Sequence, residues 1–248
     1  ALMAHSIALL RVLEDLTGKK LQQLCSFVAG HSVGEYTALC GASSISLEQA
    51  SELLYHRGKF MQEECNHQDG AMAACINIKV DQLAMLIEDL SKQGVCVVAN
   101  YNSDTQLVIS GERRLIEQAI AIVKDCAGKA IMLKVNGAFH SAMMQKAQDK
   151  MLSKLEMVEF AQPLVPIVMN VSATPAEQIG EIKANLAKQI THSVKWHQII
   201  QWAASNMLEI VEIGTGSTLA NLAKRSNYPY LVHSIYDCNS LDAYISLI

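Results

Sequence analysis

The pentapeptide Gly30-His31-Ser32-Val33-Gly34 constrains this chain more than any other feature. It follows a short apolar run at 24–29, the length of a buried strand, and precedes a helical stretch at about 33–40. A G-x-S-x-G between strand and helix is a sharp turn that lifts a serine above the sheet edge. The N–H groups at the start of the helix then lie where an oxyanion would form. A chance glycine-rich turn is the bland alternative, and the strand–helix context favours Ser32 as a nucleophile.

Periodicity places the remaining elements. Residues 1–16 read as a helix stopped by Gly18, so the chain starts inside a helix and is expected to have lost its natural beginning. Ser46-Leu47-Glu48-Gln49 is a capping-box pattern opening a helix over 47–64. Strands are expected at 71–78, 95–100, 106–110 and 131–135, with helices at 80–92 and 112–126. That β-α-β-β-α-β order is a ferredoxin-like unit. Helices at 141–156, 177–189 and 196–205 follow, with strands at 165–171 and 208–213 and a last helix running to about 225. The alternation on either side of the small unit predicts an α/β fold. Residues 1–66 and 137–248 form an α/β-hydrolase-like large domain with a parallel sheet, and 67–136 form an inserted ferredoxin-like small domain.

Composition removes several function classes. The chain has 248 residues, 50% hydrophobic and 18% charged, which excludes disorder and is ample for a core. Twenty basic against twenty-four acidic residues argue against a nucleic-acid binder. No apolar run reaches the ~18 residues of a membrane span, and no secretory signal opens the chain. Seven scattered cysteines contain no C-x-x-C pair, which argues against zinc and for free thiols in a reducing cytosol or organelle matrix.

A serine needs a base. Of eight histidines, His31 adjoins Ser32 and is expected to project elsewhere, in a packing or local hydrogen-bonding role. His140, in Asn136-Gly137-Ala138-Phe139-His140-Ser141, lies where the small unit returns to the large one, near an inter-domain cleft. Arg57 shares a helix face with Leu53, Leu54 and Met61. A guanidinium cannot shed its proton, so its burial there requires an anionic partner. Either the stem packs while the head escapes to water or pairs with an internal carboxylate, or the head clamps a substrate carboxylate. Ile213-Gly214-Thr215-Gly216-Ser217 lacks the third glycine of a dinucleotide loop and reads as a tight turn.

Taken together, these residues resemble the malonyl-CoA:acyl carrier protein transacylases. Gly30-His31-Ser32-Val33-Gly34-Glu35-Tyr36 is similar to the family's nucleophile motif, Arg57-Gly58-Lys59-Phe60-Met61-Gln62 to its arginine motif, and Gly137-Ala138-Phe139-His140-Ser141 to its histidine motif. Gly70-Ala71-Met72-Ala73-Ala74 and Asn100-Tyr101-Asn102-Ser103 match the opening of its small subdomain and a turn within it. The resemblance implies Ser32 as nucleophile, His140 as base, a carbonyl at Gln189 orienting it, and the Val33 N–H as half of the oxyanion hole. It implies Arg57 as the partner of malonate's free carboxylate, Phe139 as a block to branched acyl groups, and Met61, Asn102 and His31 as further substrate-site residues. The partners would be malonyl-CoA and acyl carrier protein, docked on basic surface near Lys129, Lys134 or Lys195. No cofactor is implied beyond the phosphopantetheine of the carrier, and the chain is expected to be a monomer. Family members begin with a G-Q-G-S-Q segment supplying the other oxyanion donor, and this chain is expected to start after it. Thr215 stands where members often have Pro. The alternatives are a serine thioesterase or hydrolase, with His233 and Asp237 as a late histidine–acid pair, and a non-catalytic carrier-binding domain.

Overall fold

The computed structural model describes residues 1–248 and divides its strands among three sheets. The best-formed sheet is antiparallel and contains β2 (Gly70–Ile76), β3 (Cys96–Tyr101), β4 (Gln106–Glu112) and β5 (Lys129–Met132), in the order β3-β4-β2-β5. Two helices, α5 (Val80–Ser91) and α6 (Arg113–Asp125), connect β2 to β3 and β4 to β5. This is the ferredoxin-like order expected from the β-α-β-β-α-β reading. Leu83, Ile87 and Leu90 of α5 and Leu115, Ile116, Ala119 and Val123 of α6 bury one helical stripe each. They pack on alternate strand residues such as Cys75, Leu107 and Ile109.

The larger part holds β1 (Val28–Ala29), parallel to β6 (Ile167–Val168), which pairs antiparallel with β7 (Pro175–Ala176). A separate parallel pair joins β8 (Ile210–Ile213) to β9 (Val232–Ile235). Around them lie α1 (Leu2–Thr17), α2 (Leu21–Leu24), α3 (Gly34–Gly41), α4 (Leu47–His67), α7 (Gln145–Met157) and α8 (Ile179–Gln189). The set is completed by α9 (Trp196–Ser205), α10 (Thr218–Arg225) and α11 (Cys238–Ile245). The Ser46 hydroxyl accepts from Gln49 N–H at 3.0 Å, and the Gln49 side chain accepts from Ser46 N–H at 2.7 Å, closing the expected capping box. Leu53 and Met61 of α4, Met151 and Leu155 of α7 and Ile182 and Leu186 of α8 form the main core of this part.

The strands expected at 24–29 and 165–171 are much shorter than predicted. Leu24 belongs to α2, whose last turn is closed by Cys25 N–H donating to Leu21 O at 2.9 Å, so only Val28 and Ala29 reach a strand partner. Residues after Val168 leave the sheet because Asn170 turns inward toward α3. The strand expected at 131–135 lies instead at Lys129–Met132, in register with β2.

One junction positions the site. The edge strand β3 bulges between Val98 and Asn100, and there the large part adds on. Val194 N–H donates to Ala99 O at 2.8 Å, and Tyr101 N–H donates to Val194 O at 2.9 Å. The Ser193 hydroxyl donates to Val98 O at 2.6 Å. Residues 189–194 are thereby held along the small sheet, within reach of the serine turn.

Candidate active site

The turn that carries Ser32 is closed by a glycine that nothing else could replace. A Cβ on Gly30 would lie 2.0 Å from the carbonyl group of Gly34. Gly34 itself has open space around its would-be Cβ, so only the first glycine of the motif is sterically required. Ser32 sits at φ 52°, a left-handed conformation that costs a side-chain-bearing residue roughly 1–2 kcal/mol. Asn170 compensates by bridging the turn. Its Oδ1 accepts from Ser32 N–H at 2.7 Å, and its Nδ2 donates to Gly30 O at 2.8 Å. The Val33 N–H, next along the chain, has no acceptor within the protein.

His140 is buried and also left-handed, at φ 58°. The segment before it is tightly seated, since a Cβ on Gly137 would fall 2.2 Å from Cys65 Sγ. The His140 N–H donates to Ile190 O at 3.1 Å. Its Nδ1 lies 2.7 Å from Gln189 O. A carbonyl only accepts, so Nδ1 carries the hydrogen and Nε2 is the acceptor. Nε2 lies 2.9 Å from Ser32 Oγ, where a base must be. Burial, reinforced by the nearby Arg57 charge, lowers the His140 imidazole from the usual 6.5 to about 3. It therefore stays neutral at physiological pH.

Arg57 reaches the same point from α4. It is only 6% exposed, and its Nη2 donates to Ser32 Oγ at 3.0 Å and to Gln189 Oε1 at 3.1 Å. Its Nε is buried without a partner. Because Ser32 Oγ accepts from Arg57, its own hydrogen is free to point at His140. Behind the guanidinium lies Glu35, fully buried in α3. Glu35 Oε1 accepts from Asn170 N–H, and Glu35 Oε2 accepts from Gln189 Nε2 at 2.5 Å. Burial raises its carboxyl, while the two hydrogen bonds it accepts and the Arg57 charge oppose that shift and favour the ionised form, in keeping with a carboxylate whose two oxygens both accept.

The structure thus brings Ser32, Val33, Arg57, His140 and Gln189 to one place. His31 makes no hydrogen bond to Ser32 and takes a local hydrogen-bonding and packing role instead. Its Nε2 pairs with Asn102 Oδ1 at 3.0 Å, and its ring packs on Trp196. Phe139 is half-buried between the main core and the Met72, Ala99 and Val108 side chains of the small sheet. Met61 lies in the main core, one turn beyond Arg57. His233 and Asp237 form no pair. His233, in β9, packs against Tyr244 of α11, and Asp237 caps α11 by accepting from Ser240 N–H at 2.8 Å. The turn at Gly214 is no phosphate loop, because Glu212 already accepts from Leu219 N–H and Ala220 N–H at 3.0 and 2.8 Å. No three His, Cys, Asp or Glu side chains cluster as metal ligands, and all seven cysteines are free. No helix is long and apolar enough to cross a membrane.

Sequence reasoning gave no role to Glu35 or Asn170. The signal available for Glu35 was a carboxylate at the first turn of an otherwise apolar helix. Asn170 carried none, since its partners are 135 to 140 residues away in sequence.

The sequence profile described as "Acyl transferase domain" matches residues 1–233. The malonyl CoA-acyl carrier protein transacylase of Salmonella typhimurium is 35% identical over 227 residues, covering 91% of this chain and 72% of that protein. An acyl-carrier-protein-S-malonyltransferase from Bartonella henselae superposes with a TM-score of 0.93 at 35% identity, over 99% of this chain and 78% of the other. A malonyl-transacylase solved in complex with its type II polyketide synthase acyl carrier protein gives a TM-score of 0.94 at 31% identity. That match covers 99% of this chain and 79% of the other.

Two outcomes follow from this geometry. Gly30→Ala is expected to destroy the turn and the reactivity of Ser32, whereas Gly34→Ala keeps both and stabilises α3 by up to ~1 kcal/mol. Equal behaviour of the two variants, in thermal melting and in labelling by a serine-directed reagent, would refute the steric assignment. Lowering the pH protonates a base only below its own pKa, and His140 is held near 3. Single-turnover acylation at pH 5 is therefore expected to stay within about twofold of its pH 7 rate, where an ordinary imidazole would be ~97% protonated. A fall tracking a pKa near 6.5 would contradict the tautomer and burial described.

Proposed function

The chain belongs to the acyl transferase domain family, and we infer that it transfers a malonyl group from malonyl-CoA to acyl carrier protein in fatty-acid biosynthesis. The observation that carries the site assignment is the convergence of the Ser32 hydroxyl, the His140 imidazole and the Arg57 guanidinium around one oxygen atom, at 2.9 and 3.0 Å. A nucleophile, its base and a fixed cation within one malonyl length are what acyl transfer from a short diacid thioester requires.

In the reading proposed here, Ser32 Oγ attacks the malonyl thioester carbonyl while His140 Nε2 takes its proton. The oxyanion that forms is stabilised by the Val33 N–H, whose lack of any internal acceptor supports that role. Collapse expels the CoA thiolate, which the imidazolium protonates, and leaves a malonyl-serine ester. The phosphopantetheine thiol of the carrier then repeats the sequence in reverse, with His140 again taking the proton. Gln189 O fixes the tautomer throughout, in the position that an aspartate fills in a Ser-His-Asp triad. Arg57 engages the free carboxylate of malonate, and its unpartnered Nε supports this role. Phe139, Met61, Asn102 and His31 are assigned to the substrate site. Of these, Phe139 has the best support, because it adjoins His140 and borders both parts of the chain.

Residues 1–66 and 137–248 are proposed as the catalytic domain and 67–136 as the inserted small domain. Separate hydrophobic clusters in the two parts support that division. The bacterial origin of the relatives and the free thiols support a cytoplasmic setting. Nothing in the geometry favours hydrolysis, since the late histidine and acid are apart.

Ser32→Ala is expected to abolish the malonyl adduct seen by intact-mass spectrometry of the enzyme mixed with malonyl-CoA; a persisting adduct removes Ser32 as nucleophile. In the parent protein, the adduct is expected to discharge on adding carrier protein and to persist in buffer alone, whereas rapid loss to water would indicate a hydrolase. Arg57→Ala is expected to lower kcat/KM for malonyl-CoA by ~10²-fold or more, because it strips the partner from a buried carboxylate. Acetyl transfer is expected to survive or improve, and equal losses would make Arg57 structural.

A further inference from the structure

The fully buried carboxyl of Glu35 touches neither the serine nor the histidine, yet it ends a chain of hydrogen bonds that leads to both. Five links can be followed. The backbone N–H of Asn170, which cannot rotate, donates to Glu35 Oε1. Gln189 Nε2 donates to Glu35 Oε2 at 2.5 Å and to Ser32 O at 2.9 Å. Arg57 Nη2 donates to Gln189 Oε1 at 3.1 Å, and the same nitrogen donates to Ser32 Oγ at 3.0 Å.

A carboxamide is a two-ended device with donors at one end and an acceptor at the other. Around Gln189 the surroundings are fully polarised. Two acceptors, Glu35 Oε2 and Ser32 O, face one end, and a donor, Arg57, faces the other. Turning the amide over would set oxygen against oxygen twice and N–H against N–H once, around a Gln189 side chain and a Glu35 carboxyl that have no exposure to water. Gln189 therefore has one allowed orientation. Ser32 O contributes to that choice, but its carbonyl also accepts from Glu35 N–H at 3.1 Å. The carboxylate is the stronger acceptor of the two.

We propose that Glu35 is a positioning residue for acyl-group selectivity: by fixing the Gln189 amide, it holds Oε1 toward Arg57 and so places the guanidinium where it meets the malonyl carboxylate. This rests on the reading of Arg57 as the carboxylate partner. A carboxylate suits the task better than an amide because both of its oxygens accept. With Gln at position 35, an oxygen would still serve the Asn170 N–H, but the new NH2 would face the Gln189 NH2. Gln189 would then turn over and present a donor to Arg57, which must move away. The base is unaffected by this route, because His140 is held by the backbone carbonyl of Gln189 and not by its side chain.

The test is a double-mutant cycle on the ratio of malonyl to acetyl transfer, read as kcat/KM with each CoA ester. Glu35→Gln is expected to reduce that ratio by ~10-fold or more, mainly through a raised KM for malonyl-CoA. Gln189→Leu removes the amide relay but keeps the backbone carbonyl, and is expected to reduce the ratio similarly. In the Gln189→Leu background, Glu35→Gln is expected to change the ratio no further, since two residues acting along one route are non-additive. Fully additive effects, or equal losses on both esters, would overturn the proposal. Should Glu35→Gln fail to fold, Gln189→Leu alone decides it: an unchanged ratio in that variant refutes the relay. Arg57→Ala serves as the reference. If its ratio does not fall, the reading of Arg57 is wrong; if it falls while the Glu35 and Gln189 variants keep the parent ratio, only the relay is wrong.

Discussion

A guanidinium sealed in the protein interior is the constraint around which the rest is organised. Arg57 cannot lose its proton, and a buried cation without compensation costs several kcal/mol. In the structure its head group meets two neutral oxygens, Ser32 Oγ and Gln189 Oε1, with the Glu35 carboxyl one amide further away. Those neutral acceptors satisfy donors without cancelling charge. A direct Arg57–Glu35 contact would have made a closed ion pair with nothing left for a substrate. Inserting the Gln189 amide keeps the two charged groups in communication but apart, so a diacid arriving at Ser32 finds a cation still in need of an anion. In the proposed reading, acyl groups without a carboxylate leave that need unmet, and the penalty on the wrong substrate is the selectivity.

The reacting pair is held by strain that the surroundings offset. Ser32 and His140 are both in the left-handed region, and each would relax if its segment were free. They are clamped from two further segments, the one after β6 and the one running on from the end of α8. Asn170 ties the serine turn, while Gln189 O accepts from the His140 imidazole at Nδ1 and Ile190 O accepts from the His140 backbone N–H. The segment after α8 is itself pinned to the bulged edge of the small sheet at Val194. The small sheet thus helps to hold the geometry of the proposed site even though none of its strands carries Ser32, His140 or Arg57.

How much of this the sequence disclosed depends on the range of the interactions involved. Helices with a strong apolar stripe were legible to within a few residues: α4 was expected at 47–64 and spans Leu47–His67. The ferredoxin-like unit was legible because its hairpins and crossovers are local in sequence. The strands of the larger part were not, because β1 and β6 are two-residue contacts between segments far apart in the chain, and an apolar run says nothing about where its partner stops. Ser32 was legible from its motif and Arg57 from its misfit on an apolar face. Glu35 stood in plain view beside the motif but without a visible partner. Asn170 could not be found at all, since its role is defined wholly by atoms brought together by folding.

The way His140 is oriented also bears on why the acyl group goes to a thiol and not to water. A carbonyl at Nδ1 fixes the tautomer but carries no charge, so it stabilises the imidazolium far less than a carboxylate would, and burial beside Arg57 makes this histidine a weak base. A weak base can still activate Ser32, because that hydroxyl is held 2.9 Å from Nε2 and its proximity replaces basicity. For the second half-reaction the acceptor is mobile, and its own acidity matters more. A thiol near pKa 8.5 surrenders its proton about seven orders of magnitude more readily than water near 15.7. Replacing the aspartate of a hydrolytic triad by the main-chain oxygen of Gln189 therefore handicaps water more than the carrier's thiol. It leaves the malonyl ester to wait for the acceptor that needs the least help.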